Sequence, residues 1–265
     1  MSKPSKEEDM EGKPSKRNLN ISFTSLVWIA ILGFMVYRFI ASFDAAFERV
    51  VAGSEHRTRS ITSDEKRVIA VHEAGHALIA SLMPNADKAR KVTIVPRGRA
   101  MGYTMQLPTS DRYVLGEREL ATRLSVLVGG RVAEALEFGE PSTGAVDDLA
   151  RAADLARRMV TEFGMSPVLG PVRLATDMQA NYLNQQLGLD ARVSPETATQ
   201  VDTETRRIIE EAVNEAKIIL EKHRPELDHL AKLLCEQETV DGAQIETLLT
   251  EEKISEPLPV FQYEQ

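Results

Sequence analysis

Apolar positions in this chain fall into three kinds of run. The first is continuous. From Ile21 to Ala41 the residues are almost all apolar, with Arg38 as the one charge. A run of about 20 such residues is long enough to span a bilayer as a helix, and Arg38 sits near its end, where a long side chain can reach the interface. No small-x-small cleavage site follows, so the run reads as an uncleaved membrane anchor. Lys13, Lys16 and Arg17 precede it and Arg49, Arg57 and Arg59 follow it, which nearly ties the positive-inside rule and leaves orientation open.

The second kind has helical spacing. Thr62 and Glu65 form a capping-box pattern, so a helix should start near Ser63 and end at Pro84, with Val68, Ile69, Val71, Leu78, Ile79 and Leu82 as its apolar positions. Leu120, Leu124, Leu127, Val128, Ala135 and Leu136 predict a helix over 117–137. Gly129 and Gly130 lie inside it, at about 1 kcal/mol each relative to alanine, and a close helix crossing would account for them. Ser142–Ala145 reads as a turn. A helix follows from Val146 to about Phe163, stopped by Gly164. After an irregular stretch over 165–193, Ser194 and Pro195 open a long helix that reaches about His223. One helix through Cys235 and a short last one near Gly242 to Leu249 complete the pattern.

The third kind is short and rich in β-branched residues. Lys91–Val95 and Gly102–Leu107, joined by a turn at Pro96–Arg99, predict a small hairpin. The architecture expected is mainly α with a small β-hairpin, behind one transmembrane helix. Residues 1–20 are polar, with Lys-Pro-Ser-Lys occurring twice, and read as a disordered tail. Residues 42–62 read as a linker, 63–250 as the globular domain, and 251–265 as a flexible tail.

Charge and cysteine content narrow the partners. A formal charge of -8 without a basic cluster argues against nucleic acid. The single cysteine, Cys235, falls in an apolar helical pattern and reads as a core residue, so disulfides are not the scaffold.

The candidate chemistry lies on the first globular helix. His72-Glu73-Ala74-Gly75-His76 is a His-Glu-x-x-His pattern. At 3.6 residues per turn, His72 and His76 share one face and Glu73 falls beside them. Two neutral imidazoles can hold one Zn²⁺ while the carboxylate reaches a water on that metal. A catalytic zinc needs a third protein ligand. The metzincin pattern would place glycine at position 79 and histidine at position 82, where this chain has Ile79 and Leu82. His56, His223 and His229 read as surface histidines. Glu134, Asp147 and Asp148 remain as candidates, and spacing does not rank them. Both aspartates also suit a first helical turn for the sake of the helix dipole alone.

Several motifs occur together and in order: His72–His76, Val92-Thr-Ile-Val-Pro-Arg-Gly-Arg-Ala-Met-Gly102, Gly129-Gly-Arg-Val-Ala-Glu134, Ser142-Thr-Gly-Ala145, and Asp148 in Asp-Asp-Leu-Ala-Arg-Ala. In these the chain resembles the peptidase domain of the FtsH family, membrane-bound ATP-dependent zinc metalloproteases, from about residue 63 to 250. The resemblance implies a zincin-type, mostly helical peptidase domain. It implies His72, His76 and Asp148 as zinc ligands, Glu73 as catalytic acid/base and Glu134 beside the site. It also implies polypeptide substrates, assembly into a homo-oligomer such as a hexameric ring, and a bacterial or organellar inner membrane.

The departures shape the expectation. That family carries an AAA ATPase module between membrane and peptidase and usually two spans. Here one span and a short linker stand in their place, and no Gly-x-x-x-x-Gly-Lys-Ser/Thr occurs to cradle ATP phosphates. The function expected is therefore that of a membrane-anchored zinc metalloendopeptidase. Its substrates would be unfolded or flexible proteins, unless a full-length ATPase relative co-assembles with it. The alternative is a non-catalytic membrane-bound partner of such proteases. A substrate peptide is expected to pair with the hairpin edge near Val92–Val95.

Overall fold

The computed structural model describes residues 26–39, 62–96, 101–106, 114–174 and 193–251. The chain divides into two compact units, Met1–Val51 and Ala52–Gln265. In the first, helix α1 covers 26–39 with every residue exposed. At about 1.5 Å per residue it reaches roughly 21 Å, short of the roughly 30 Å of a bilayer core. Among the described residues no helix is long and apolar enough to cross a membrane. The ends of the expected span, 21–25 and 40–41, lie outside the described residues. So do the expected tails, the 42–61 part of the linker, and His56.

The second unit is built on helix α2, Ser63–Leu82. Its start follows from the capping box. Thr62 Oγ1 accepts from the Glu65 amide at 3.2 Å, and Glu65 Oε2 accepts from the Thr62 amide at 2.9 Å. Its end follows from Pro84, which holds Met83 extended at φ −74° and ψ 137°. Between these, residues 70–80 are all buried, as expected of a helix that packs on more than one side. Helix α3, Glu117–Phe138, and helix α6, Arg224–Gln237, pack against α2. Helix α4, Val146–Thr161, and the long helix α5, Pro195–Lys222, complete the layer beside α3. A short helix α7, Gly242–Glu251, is the last of the described elements. The domain is mainly helical, as its apolar spacing predicts.

The α2–α3 crossing is backbone on backbone. A Cβ on Gly75 would lie 2.6 Å from both Ala133 Cβ and the Gly129 carbonyl oxygen. Helix α3 then stops at Gly139, in the left-handed region at φ 78°. Arg224 of α6 donates to the Leu136 carbonyl at 2.9 Å and pairs with Glu137, so a cation caps the carbonyl end of α3.

The sheet differs from the expected hairpin. Strand β1, Ala89–Thr93, pairs antiparallel with β2, Tyr103–Gln106, and on its other side with β3, Thr239–Asp241, giving the order β2-β1-β3. The first strand of the hairpin lies two residues earlier than predicted, the second is shorter at both ends, and the turn at 97–100 lies outside the described residues. The third strand was not anticipated. Three residues are too few to show a two-residue period. They are placed by Glu238, whose left-handed φ of 62° ends α6 and whose carbonyl accepts from the Ile94 amide at 3.0 Å. Because β1 is central, both its edges are paired over Lys91–Thr93, and a peptide cannot add along the expected edge at Val92 and Thr93.

Two side chains also sit otherwise than expected. His223 is buried, not on the surface: it joins α5 to α6, and its Nδ1 meets Glu226 Oε1 at 2.8 Å in the next turn. Cys235 is only partly buried and lines, with Arg67 and Val71, an open cleft of about 360 Å³.

Candidate metal centre

His72 and His76 stand one turn apart on α2 and are both buried. Each ring is oriented by a partner on Nδ1. For His72 that is Glu134 Oε1 of α3, at 2.6 Å. For His76 it is the Val126 carbonyl of α3, at 2.7 Å. A carbonyl or carboxylate only accepts, so both Nδ1 atoms carry hydrogen, and in the neutral rings that bind a metal both Nε2 lone pairs face one point. The Nε2 atoms are 3.0 Å apart. Asp148 Oδ2, from the first turn of α4, lies 3.3 Å from each.

Three electron-pair donors so close together repel unless a positive charge lies among them. Zinc bonds of about 2.0–2.1 Å at tetrahedral angles place neighbouring ligand atoms about 3.3 Å apart. The two separations to Asp148 match that figure, the Nε2–Nε2 separation is 0.3 Å shorter, and these three side chains form a group that could hold a metal ion. Of the other carboxylates considered, Asp147 is exposed and Glu134 is committed to His72.

Glu134 also ties α3 to the segment that delivers the aspartate. Its Oε2 accepts from the Ser142 amide at 2.5 Å, and Ser142 Oγ accepts from Gly144 N at 3.0 Å at the head of the short 3₁₀ turn Thr143–Ala145. Helix α4 starts directly after that turn. One carboxylate, 1% exposed, therefore fixes both an imidazole and the loop leading to Asp148.

Electrostatics follow the geometry. Burial lowers the His72 pKa, but bonds to Asp148 and Glu134 outweigh it and leave the metal-free imidazole at about 10. Burial raises Asp148, yet the two imidazoles hold it well below the usual carboxylate range. Glu134 behaves likewise: burial raises it, and His72 and Ser142 bring it down. Glu73 goes the other way. Its burial dominates and lifts it above its ordinary value, against the pull of the two imidazoles.

The glycines shape this point. A Cβ on Gly130 would fall 2.6 Å from His72 Cε1 and Nε2 and from His76 Nε2. Gly102, just before β2, lies as close to Glu73: a Cβ there would sit 2.8 Å from Glu73 Oε1. Thr104 of β2 donates to Glu73 Oε2 at 2.9 Å. Sequence reasoning passed over Thr104 and the carbonyl of Val126. No local pattern marks either, since both act through the fold.

The model of peptidase family M41 matches residues 59–248. An ATP-dependent zinc metalloprotease FtsH of Pseudothermotoga lettingae is 44% identical over 211 residues, covering 79% of this chain and 34% of that protein. Proteins of the same description match in Syntrophobacter fumaroxidans, at 45% over 216 residues (81% of this chain, 33% of that protein), and in Ralstonia pickettii, at 46% over 226 residues (83% and 31%). The chain thus spans about a third of the length of these relatives. With a family match across nearly all of the second unit, the chain belongs to peptidase family M41.

Proposed function

We propose that this chain is a zinc metalloendopeptidase in which His72, His76 and Asp148 hold the metal and Glu73 is the general base and acid. The observation that supports this best is the convergence of two oriented imidazole lone pairs and one carboxylate oxygen at tetrahedral spacing, beside a buried carboxylate. When bound, zinc supplies a Lewis acid that polarises the scissile carbonyl and acidifies a water. Glu73 takes the proton of the attacking water and passes it to the leaving amine, a task its raised pKa suits. Glu134 keeps His72 in the Nδ1–H tautomer and so keeps Nε2 for the metal.

The substrate proposed is an unfolded or flexible polypeptide. The outer side of β2 pairs with no strand among the described residues, and Thr104 of β2 touches Glu73. An extended peptide adding there would lie along the catalytic carboxylate. The apolar run 21–41, with its exposed helix α1, supports a single-pass membrane anchor. The relatives are named ATP-dependent, yet these residues hold no phosphate-cradling loop. We propose a homo-oligomer, or co-assembly with an ATPase-bearing protease such as the ATP-dependent relatives. A purely non-catalytic partner fits too, but makes no use of Glu73.

The test is Glu73→Gln. The variant keeps its zinc and fold and loses casein cleavage by about 10²–10⁴-fold. Undiminished cleavage would contradict the assignment.

A further inference from the structure

We infer that Thr104 is a positioning residue for the proposed general base: its hydroxyl fixes the Glu73 carboxylate beside the metal point, and through β2 it links that carboxylate to the strand a substrate would line. The inference rests on the peptidase reading above.

Glu73 is 6% exposed, and a buried carboxylate needs donors to stay ionised in one place. Thr104 Oγ1 lies 2.9 Å from Glu73 Oε2 and 3.4 Å from the Glu73 carbonyl oxygen. A hydroxyl has one proton to give, and the shorter, charge-assisted contact takes it. One carboxylate oxygen is thereby committed, which leaves the other for the proton it must move.

Two features of the fold place this hydroxyl. The first is register. Thr104 is the cross-strand partner of Val92, which is wholly buried, so both side chains share the sheet face turned to the core. A slip of one residue would turn Thr104 away and bring Tyr103 or Met105 to that face. The second is Gly102. Its missing side chain lets the strand close over Glu73: a Cβ there would also meet Glu73 Cγ at 2.9 Å and the Thr93 carbonyl oxygen at 2.8 Å.

The experiment uses the full chain and four variants: Thr104→Val, Thr104→Ser, Glu73→Gln, and Thr104→Val combined with Glu73→Gln. Zinc content, kcat and KM on a flexible peptide, and affinity for a peptide hydroxamate are measured. A hydroxamate chelates zinc and offers its protonated oxygen to the neighbouring carboxylate, so its affinity reports carboxylate placement without turnover. Thr104→Val keeps its zinc, lowers kcat by about 10- to 100-fold, the worth of one hydrogen bond to a charge, and leaves KM within about twofold. Serine restores most of the rate. The valine change weakens hydroxamate binding in the native background and has no further effect once Glu73 is glutamine.

If valine unsettles the sheet, Thr104→Ala against Thr104→Ser makes the same comparison. Wild-type kcat in Thr104→Val or Thr104→Ala overturns the inference, as does an equal loss of hydroxamate affinity with and without Glu73. If the native chain cleaves, Glu73→Gln does not, and Thr104→Val matches the native chain, the inference fails while the peptidase reading stands. A native chain that holds zinc but cleaves nothing overturns both.

Discussion

Replacing Gly130 by alanine adds one methyl group at the point where the two imidazoles meet. That methyl would sit 2.6 Å from His72 Nε2 and from His76 Nε2, about 0.8 Å inside an ordinary 3.4 Å contact. The rings must withdraw by about that amount, against the bonds to Glu134 and to the Val126 carbonyl. Zinc sites tolerate about 0.2 Å of error in ligand distance, so the displacement is several times too large. Disturbing a partner of a zinc ligand costs about 10- to 100-fold in affinity, and here both imidazole ligands move, so a loss of about 100-fold or more follows. Fold stability without metal should change much less. Overpacking costs about 1–3 kcal/mol, while removing a mid-helix glycine returns about 1 kcal/mol. The assay is competition for zinc against a chromophoric chelator, with thermal melts in the presence and absence of zinc. The native melt should rise on adding zinc, and that of Gly130→Ala should not, although its metal-free melt stays close to native. Zinc affinity within about threefold of native in a folded Gly130→Ala protein would refute the placement of the metal at this point.

Gly75→Ala should destabilise the fold, because its Cβ would meet the Gly129 carbonyl and Ala133 Cβ, both at 2.6 Å, and backbone cannot step aside as an imidazole can; a urea melt should show a net loss of about 1–2 kcal/mol. Zinc uptake should release protons: His72 in the metal-free chain titrates near 10 and is charged at neutral pH, so apparent zinc affinity should rise about tenfold per pH unit up to that value, and calorimetry in buffers of different ionisation enthalpy should count about one proton at pH 7.5. Glu204 of α5 is held below its ordinary value chiefly by Arg207, and also by the Ser166 hydroxyl at 2.7 Å, so its contribution is present above about pH 4.5 and disappears as pH falls through the depressed value; Glu204→Gln should flatten the acid limb of the stability curve.

The helices were legible from spacing because their ends carry strong local chemistry. Thr62 with Glu65, Pro84, and Ser194 with Pro195 each act within a turn or two of where they stand. The sheet was less legible. Strand β3 exists because Glu238 takes a left-handed turn and hands its carbonyl to Ile94, a contact between segments far apart in sequence. For the same reason β1 looked like an edge and is central. His223 was misjudged because its neighbours Lys222 and Arg224 are charged, whereas the α5–α6 junction turns its ring inward onto Glu226. At the site, the helix spacing of His72 and His76 is a local fact. Which carboxylate meets them is not: Glu134, Asp147 and Asp148 are equal in chemistry and are separated only by how α3 and α4 pack on α2. Thr104 belongs with these, since a threonine in a short strand carries no mark of the carboxylate it touches.

The most direct measurement is the metal content of the purified full chain, native and Asp148→Ala, by elemental analysis after dialysis against a weak chelator. The account predicts one zinc per native chain and a loss of most of it in Asp148→Ala, with helical content unchanged. A native chain without zinc, or an Asp148→Ala protein with undiminished zinc, would contradict the account.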